Sequence, residues 1–165
     1  MLLEINLTDS IMKNNFYLGR KKPFNKHAVL TYQKYLIQQQ YSYLSCNIHK
    51  NVLKCTGWIK PRWVEDDYNV KIEYVAGKEP KSTILIPIIL PRKEIHMYRD
   101  HSICLHYPPD MIWNVNTKVY KYTIPWISEW IIYYEIFKRN GGKWIGPESP
   151  HHIKESDKNA NYDVD

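Results

Sequence analysis

The sequence predicts an α+β fold, with helices segregated around an antiparallel sheet. Three observations carry that prediction. Helical spacing occurs at residues 24–41 and again after 123. Between them lie four runs of strand character, most of them alternating with period two. The strand runs follow one another with no helix between them, which favours an antiparallel meander.

Each element has its own signal. Residues 1–23 read as an N-terminal extension ending at a break, where Gly19 and Pro23 bracket Arg20-Lys21-Lys22. A helix follows over 24–41, capped by Asn25. Leu30, Ile37 and Tyr41 form its apolar stripe, and Val29 and Leu36 widen it. A hairpin comes next. Leu44, Cys46 and Ile48 alternate with polar residues, as do Leu53, Cys55 and Gly57. A turn centred on Lys50-Asn51 pairs 48 with 53, 46 with 55 and 44 with 57, and puts the whole apolar set on one face. Val70, Ile72, Tyr74 and Ala76 supply a third strand. Thr83 to Ile89 supply a fourth, which Pro87 makes an edge or bulged strand.

Residues 91–122 lose periodicity, and a loop this long in a small domain is usually functional or disordered. Its aromatics Tyr98, Tyr107, Trp113, Tyr120 and Tyr122 argue for order, and Trp113 and Trp126 are expected to pack loop against helix. Thr123 is the expected cap of the second helix, with Pro125 in its first turn. Trp126, Trp130, Tyr133 and Phe137 form its stripe, reinforced by Ile127, Ile131 and Tyr134. Lys138 and Arg139 suit its negative end, and Asn140-Gly141-Gly142 stops it. The expected organisation is one domain over 24–152 and a flexible polar tail over 153–165.

Composition narrows the function. A chain of 165 residues suits one domain and needs no disulfide or metal to build a core. No run approaches a membrane span of about 18 residues, and the start, with Glu4 and Asp9, does not read as a secretory signal. The expected setting is cytoplasmic, with no membrane partner. The net charge of +6 fits nucleic acid, an acidic protein or simple solubility. Support for nucleic acid is charge alone, because Arg20-Lys21-Lys22 is the one compact basic run. The 14 Tyr and 6 Trp suit a thin core or a surface that grips a partner.

The three cysteines separate by context. Cys46 and Cys55 share the inward face of the hairpin and read as small buried hydrophobes. A metal site with His49 lacks a second ligand pair, and a cross-strand disulfide is disfavoured in a reducing cytosol. No metal or cofactor is expected. Cys104 instead lies in a polar loop with His96, His101 and His106 around it, where a thiol reaches its thiolate form more easily.

The run from His96-x-Tyr98 to Ser102-Ile103-Cys104-Leu105 resembles the active-site stretch of ubiquitin-conjugating enzymes, in which a His-Pro-Asn motif precedes the catalytic cysteine. The element order over about residues 24–150 matches that fold as well. Met97 and Tyr98 stand in place of the family's Pro and Asn, and His96 lies eight residues before Cys104, a shorter loop than the eukaryotic pattern. The His-x-Tyr-x-Asp and Cys-Leu-x-Tyr-Pro form looks more like the bacterial branch. So do the Pro125-Trp126-Ile127-Ser128-Glu129-Trp130 helix and the Gly146-Pro147 to Pro150-His151 loop. Stand-alone members of that branch are found beside cyclic-oligonucleotide synthases in CBASS antiphage operons.

The resemblance implies a thioester between Cys104 and the C-terminal glycine of a partner: the synthase (CD-NTase) itself, or a ubiquitin-like protein. Sulfur suits this task because a thioester stays reactive towards amines and thiols. His106, His101 and His96 are candidate bases, in that order. Tyr98 can replace the missing Asn as a donor to the oxyanion. His96 as a loop brace and Tyr98 as packing are the structural alternatives, and His151-His152 read as solvated. The chain carries no Gly-rich nucleotide loop, so activation must come from elsewhere, with a separate activating enzyme as a further partner. The rival functions are a non-catalytic binding module on the same fold and a nucleic-acid-binding domain.

Overall fold

Asn25 starts the first helix of the computed structural model, which describes residues 24–105 and 111–147. Its side chain accepts a hydrogen bond from the Ala28 amide at 3.0 Å, satisfying one of the free donors of the first turn. This helix, α1, spans Lys26–Gln40 and buries Leu30 and Ile37. The expected extension 1–23 and tail 153–165 lie outside the described residues.

Four strands follow: β1 Ser45–His49, β2 Val52–Ile59, β3 Tyr68–Tyr74 and β4 Lys81–Ile86. They form one antiparallel sheet in the order β1-β2-β3-β4, the meander the patterning predicts. The hairpin register is also as expected, with Ile48 opposite Leu53 and Cys46 opposite Cys55. Lys50 and Asn51 both take positive φ, 46° and 60°, the geometry that matches a two-residue turn to strand twist. The pairing ends at Ser45 opposite Thr56, one step short of the expected 44–57 pair, and Gly57 lets the chain pass close by, since a Cβ there would lie 2.8 Å from the Tyr43 carbonyl and 2.7 Å from Leu44.

β3 alternates cleanly, with Tyr68, Val70, Ile72 and Tyr74 buried on one face. Ala76 falls beyond its end. β4 is an edge strand with a register shift opposite Asn69/Val70. It is shorter than the apolar run predicts, because Pro87 has no N–H to continue the ladder, and Leu85, Ile86 and Ile88 are exposed.

The cysteine pair corrects the sequence reading. Cys46 and Cys55 are buried as expected, but they are joined by a disulfide across the hairpin, with Cα atoms 4.1 Å apart. The register itself sets the two side chains face to face, a geometric fact that an argument from compartment does not contain.

The last helix, α2, spans Val119–Arg139 and starts earlier than a Thr123 cap predicts; Pro125 sits inside it. Gln33 accounts for the difference. It is fully buried on α1, its Oε1 accepts from the Val119 amide at 3.1 Å, and its Nε2 donates to the Thr117 carbonyl at 2.8 Å. A side chain from the neighbouring helix therefore serves as the cap, and local sequence cannot reveal it. The buried face is also turned from the expected stripe. Ile124, Ile127, Trp130 and Ile131 are buried, whereas Trp126, Tyr133 and Phe137 are half-buried. Trp144 covers that flank, its ring centroid 5.8 Å from Tyr133 and 6.5 Å from Phe137. The helix ends as predicted, at Asn140, with Gly141 and Gly142 at positive φ.

α1 packs on β1, β2 and α2, so the core lies between the helices and the inner face of the sheet. This is the α+β order that the resemblance implies. No helix among the described residues is long and apolar enough to cross a membrane.

Candidate active site

The loop after β4 folds into a small irregular hairpin. A short 3-10 turn, Lys93–Ile95, leads into it, and the Trp130 indole donates to the Ile95 carbonyl at 2.9 Å to anchor that entry on α2. Met97 then pairs with Ile103. The Tyr98 amide donates to the Ser102 carbonyl at 2.8 Å, and the Cys104 amide donates to the His96 carbonyl at 2.7 Å. The returning arm lies beside the sheet edge: Ser102 pairs with Thr83, and the Ile103 amide donates to the Ser82 carbonyl at 2.9 Å.

This pairing decides which side chains share a face. Met97 and Ile103 are directly opposed and both buried, so they point to the core. Their neighbours Tyr98 and Cys104 therefore share the other face, as a diagonal pair within reach of a tyrosine. The Tyr98 hydroxyl is hydrogen-bonded to the Cys104 sulfur. Partial desolvation pushes this hydroxyl well above its ordinary titration range, and the bond to Cys104 pushes it further. Tyr98 is thus a fixed donor at neutral pH. Cys104 is in no disulfide and is partly exposed, and Tyr98 is 54 % exposed, so the pair is open to a partner.

The two described histidines of the loop, His96 and His101, take different places in the hairpin. His96 is buried and takes a left-handed conformation with φ 55°, which removes it from strand alternation. Its ring lies 5.2 Å from that of Trp144, and its carbonyl holds the Cys104 amide. His101 forms the exposed tip of the hairpin, also left-handed with φ 65°. Two non-glycine residues in this region within one loop mark a tightly specified backbone. His106 and His151-His152 lie outside the described residues.

Sequence reasoning missed a further group. Asp100 accepts from the Ser102 amide at 3.0 Å and from the Ser102 hydroxyl through Oδ1. Its Oδ2 takes Lys81 Nζ at 2.7 Å. The bonds from Lys81, then those from Ser102, hold this carboxyl well below the usual carboxylate range. The Asp-His-Ser run is an Asx-turn signal in the sequence, but its link to β4 is not local.

Trp144 closes the far side. It packs on His96 and lies 6.3 Å from the Trp130 ring. Gly146 permits the chain beyond it to cross Tyr133, where a Cβ would come within 2.8 Å of the ring. Trp113 meets Trp126 edge-on at 6.5 Å, tying the loop before α2 to that helix.

The arrangement offers a partly exposed thiol, a neutral donor on it, and a loop fixed to the sheet edge. The family model E2-CBASS, described as Type II CBASS E2 protein, matches residues 33–152. No curated protein matches the chain. The match covers more than half of the sequence, and the chain belongs to the type II CBASS E2 family.

Proposed function

We propose that this member of the type II CBASS E2 family carries an acyl group on Cys104 as a thioester. The observation that supports this most is the Tyr98 hydroxyl on the Cys104 sulfur, in a loop that presents both outward. The acyl donor is the activated C-terminal glycine of a partner, the CBASS cyclic-oligonucleotide synthase, with a ubiquitin-like protein as the other candidate. Activation, as an acyl adenylate, comes from a separate enzyme. The setting is the cytoplasm, and the domain runs over 24–152.

In the step itself, the sulfur attacks the glycyl carbonyl of the adenylate. A carbon–sulfur bond forms, the carbon–oxygen bond to the nucleotide phosphate breaks, and AMP leaves. The thiol proton passes to a base. His106 is the first candidate because it lies two residues beyond Cys104, and His101 is the second. His96 acts as a brace, since its carbonyl holds the Cys104 amide and its ring packs on Trp144. Tyr98 first stabilises the thiolate, then donates to the oxyanion that develops on the attacked carbonyl. An amine then takes the acyl group and restores the thiol, priming the synthase for antiphage defence.

The test is to incubate the chain with its adenylated partner and look for an adduct that thiol reductant removes. An adduct that persists in Cys104→Ala sinks this reading. A Cys104→Ala protein with full antiphage activity would favour the alternative, a binding module on the same fold.

A further inference from the structure

We propose that Asp100 is a positioning residue, which with Lys81 latches the tip of the hairpin to β4 and so holds the Tyr98 hydroxyl on the Cys104 sulfur. The hairpin needs such a device. Among the described residues one bridge pair, Met97 with Ile103, joins its arms, made by just two backbone bonds, Tyr98 to Ser102 and Cys104 to His96. Two of its corners, His96 and His101, take backbone conformations that cost free energy outside glycine. Asp100 addresses both weaknesses with its two oxygens. Oδ1 closes the tip by taking the Ser102 amide and hydroxyl. Oδ2 reaches out of the hairpin to Lys81, the first residue of β4. Ser82, next to Lys81, already holds the Ile103 amide. The tip and the returning arm are thereby fixed to adjacent residues of one strand. Tyr98 sits on the same tip, its carbonyl taking the His101 amide at 3.0 Å.

The size of the interaction says where its effect must appear. Lys81 and Asp100 side chains are 47 % and 55 % exposed, and exposed ion pairs add little to folding stability. Removing the latch leaves the chain folded and loosens the geometry at the sulfur. Asp100 acts through Tyr98, so its removal matters only while the Tyr98 hydroxyl is present.

Alkylation of Cys104 by iodoacetamide in the full chain, mapped by mass spectrometry, tests this without any partner. Asp100→Asn removes an anion and Lys81→Met removes a cation. A through-space charge effect moves the alkylation rate in opposite directions. The latch moves it the same way, downward several-fold, with Tyr98→Phe slowing it at least as much. In the Tyr98→Phe background neither latch variant slows it further. Opposite movements, or slowing that persists in that background, overturn the proposal. The inference deepens the thioester reading but fails separately from it. A wild-type chain that forms no adduct removes the thioester, while the alkylation series still decides the latch.

Discussion

Two hairpins hold the three cysteines, and they are built by opposite means. The β1–β2 hairpin is regular. Its register follows from alternation, its turn from Lys50-Asn51, and its sulfurs are buried and joined. The 96–104 hairpin has one bridge pair, two left-handed histidines and a carboxylate holding its tip, and its sulfur is in no disulfide and is partly exposed. The first hairpin spends its cysteines on the core. The second holds its cysteine at the edge of that core, partly exposed and in contact with the Tyr98 hydroxyl. The chemistry of a thiol here is decided by which face of a strand pair carries it.

The sharpest way to break this contrast is to exchange the roles. Cys104→Ala is expected to abolish the reductant-sensitive adduct, while Cys46→Ala and Cys55→Ala leave it in place, as read on a non-reducing gel. Core truncation should show the reverse. Leu53→Ala in the first hairpin is expected to lower the unfolding free energy by about 3 kcal/mol, measured by urea titration. His101→Ala at the exposed tip of the second should change it by less than about 0.5 kcal/mol. A large loss at His101 would mean that the second hairpin belongs to the folding core after all.

Tyr98→Phe comes next. Loss of a donor at a developing oxyanion costs about 100-fold in rate. Single-turnover loading of Cys104 is therefore expected to slow by about that factor, with the apparent affinity for the adenylated partner unchanged. A change in affinity alone would make Tyr98 a docking residue rather than a catalytic one.

The two hairpins also differ in how far they can be read from sequence. The first is legible because its signals are local. Alternation at Leu44, Cys46 and Ile48, and at Leu53, Cys55 and Gly57, fixes both register and face. The second is legible as a cysteine among histidines with Tyr98 as a candidate donor, but not as a hairpin. Its Tyr98–Cys104 contact depends on pairing between 97 and 103, and its latch depends on Lys81, far back in the chain. The start of α2 failed for the same reason, since Gln33 caps it from another helix. The disulfide shows the limit from the other side. The register that brings Cys46 and Cys55 together was readable, and a general argument about compartment overrode it.

Two acidic residues carry the comparison into folding. Glu135 on α2 is buried, accepting from the Tyr68 hydroxyl and from Lys138 Nζ at 2.8 Å. Burial alone would raise its titration point; the bonds from Lys138 and Tyr68 outweigh burial and lower it. A carboxyl whose folded pKa is depressed stabilises fully above the ordinary carboxylate range, and that contribution is lost as pH falls through the folded value. Glu135→Gln is therefore expected to lower Tm at pH 7, and the gap to wild type should narrow steadily in acid. Asp100 is lowered too, first by its ion pair with exposed Lys81 and then by the bonds from Ser102. Asp100→Asn should move Tm little at any pH, because solvent screens that pair. Equal pH-dependent losses from the two variants would show that the hairpin is held by the same cooperative unit as the sheet. Unequal losses would leave the 96–104 hairpin as an element that can loosen while the sheet and its helices stay folded.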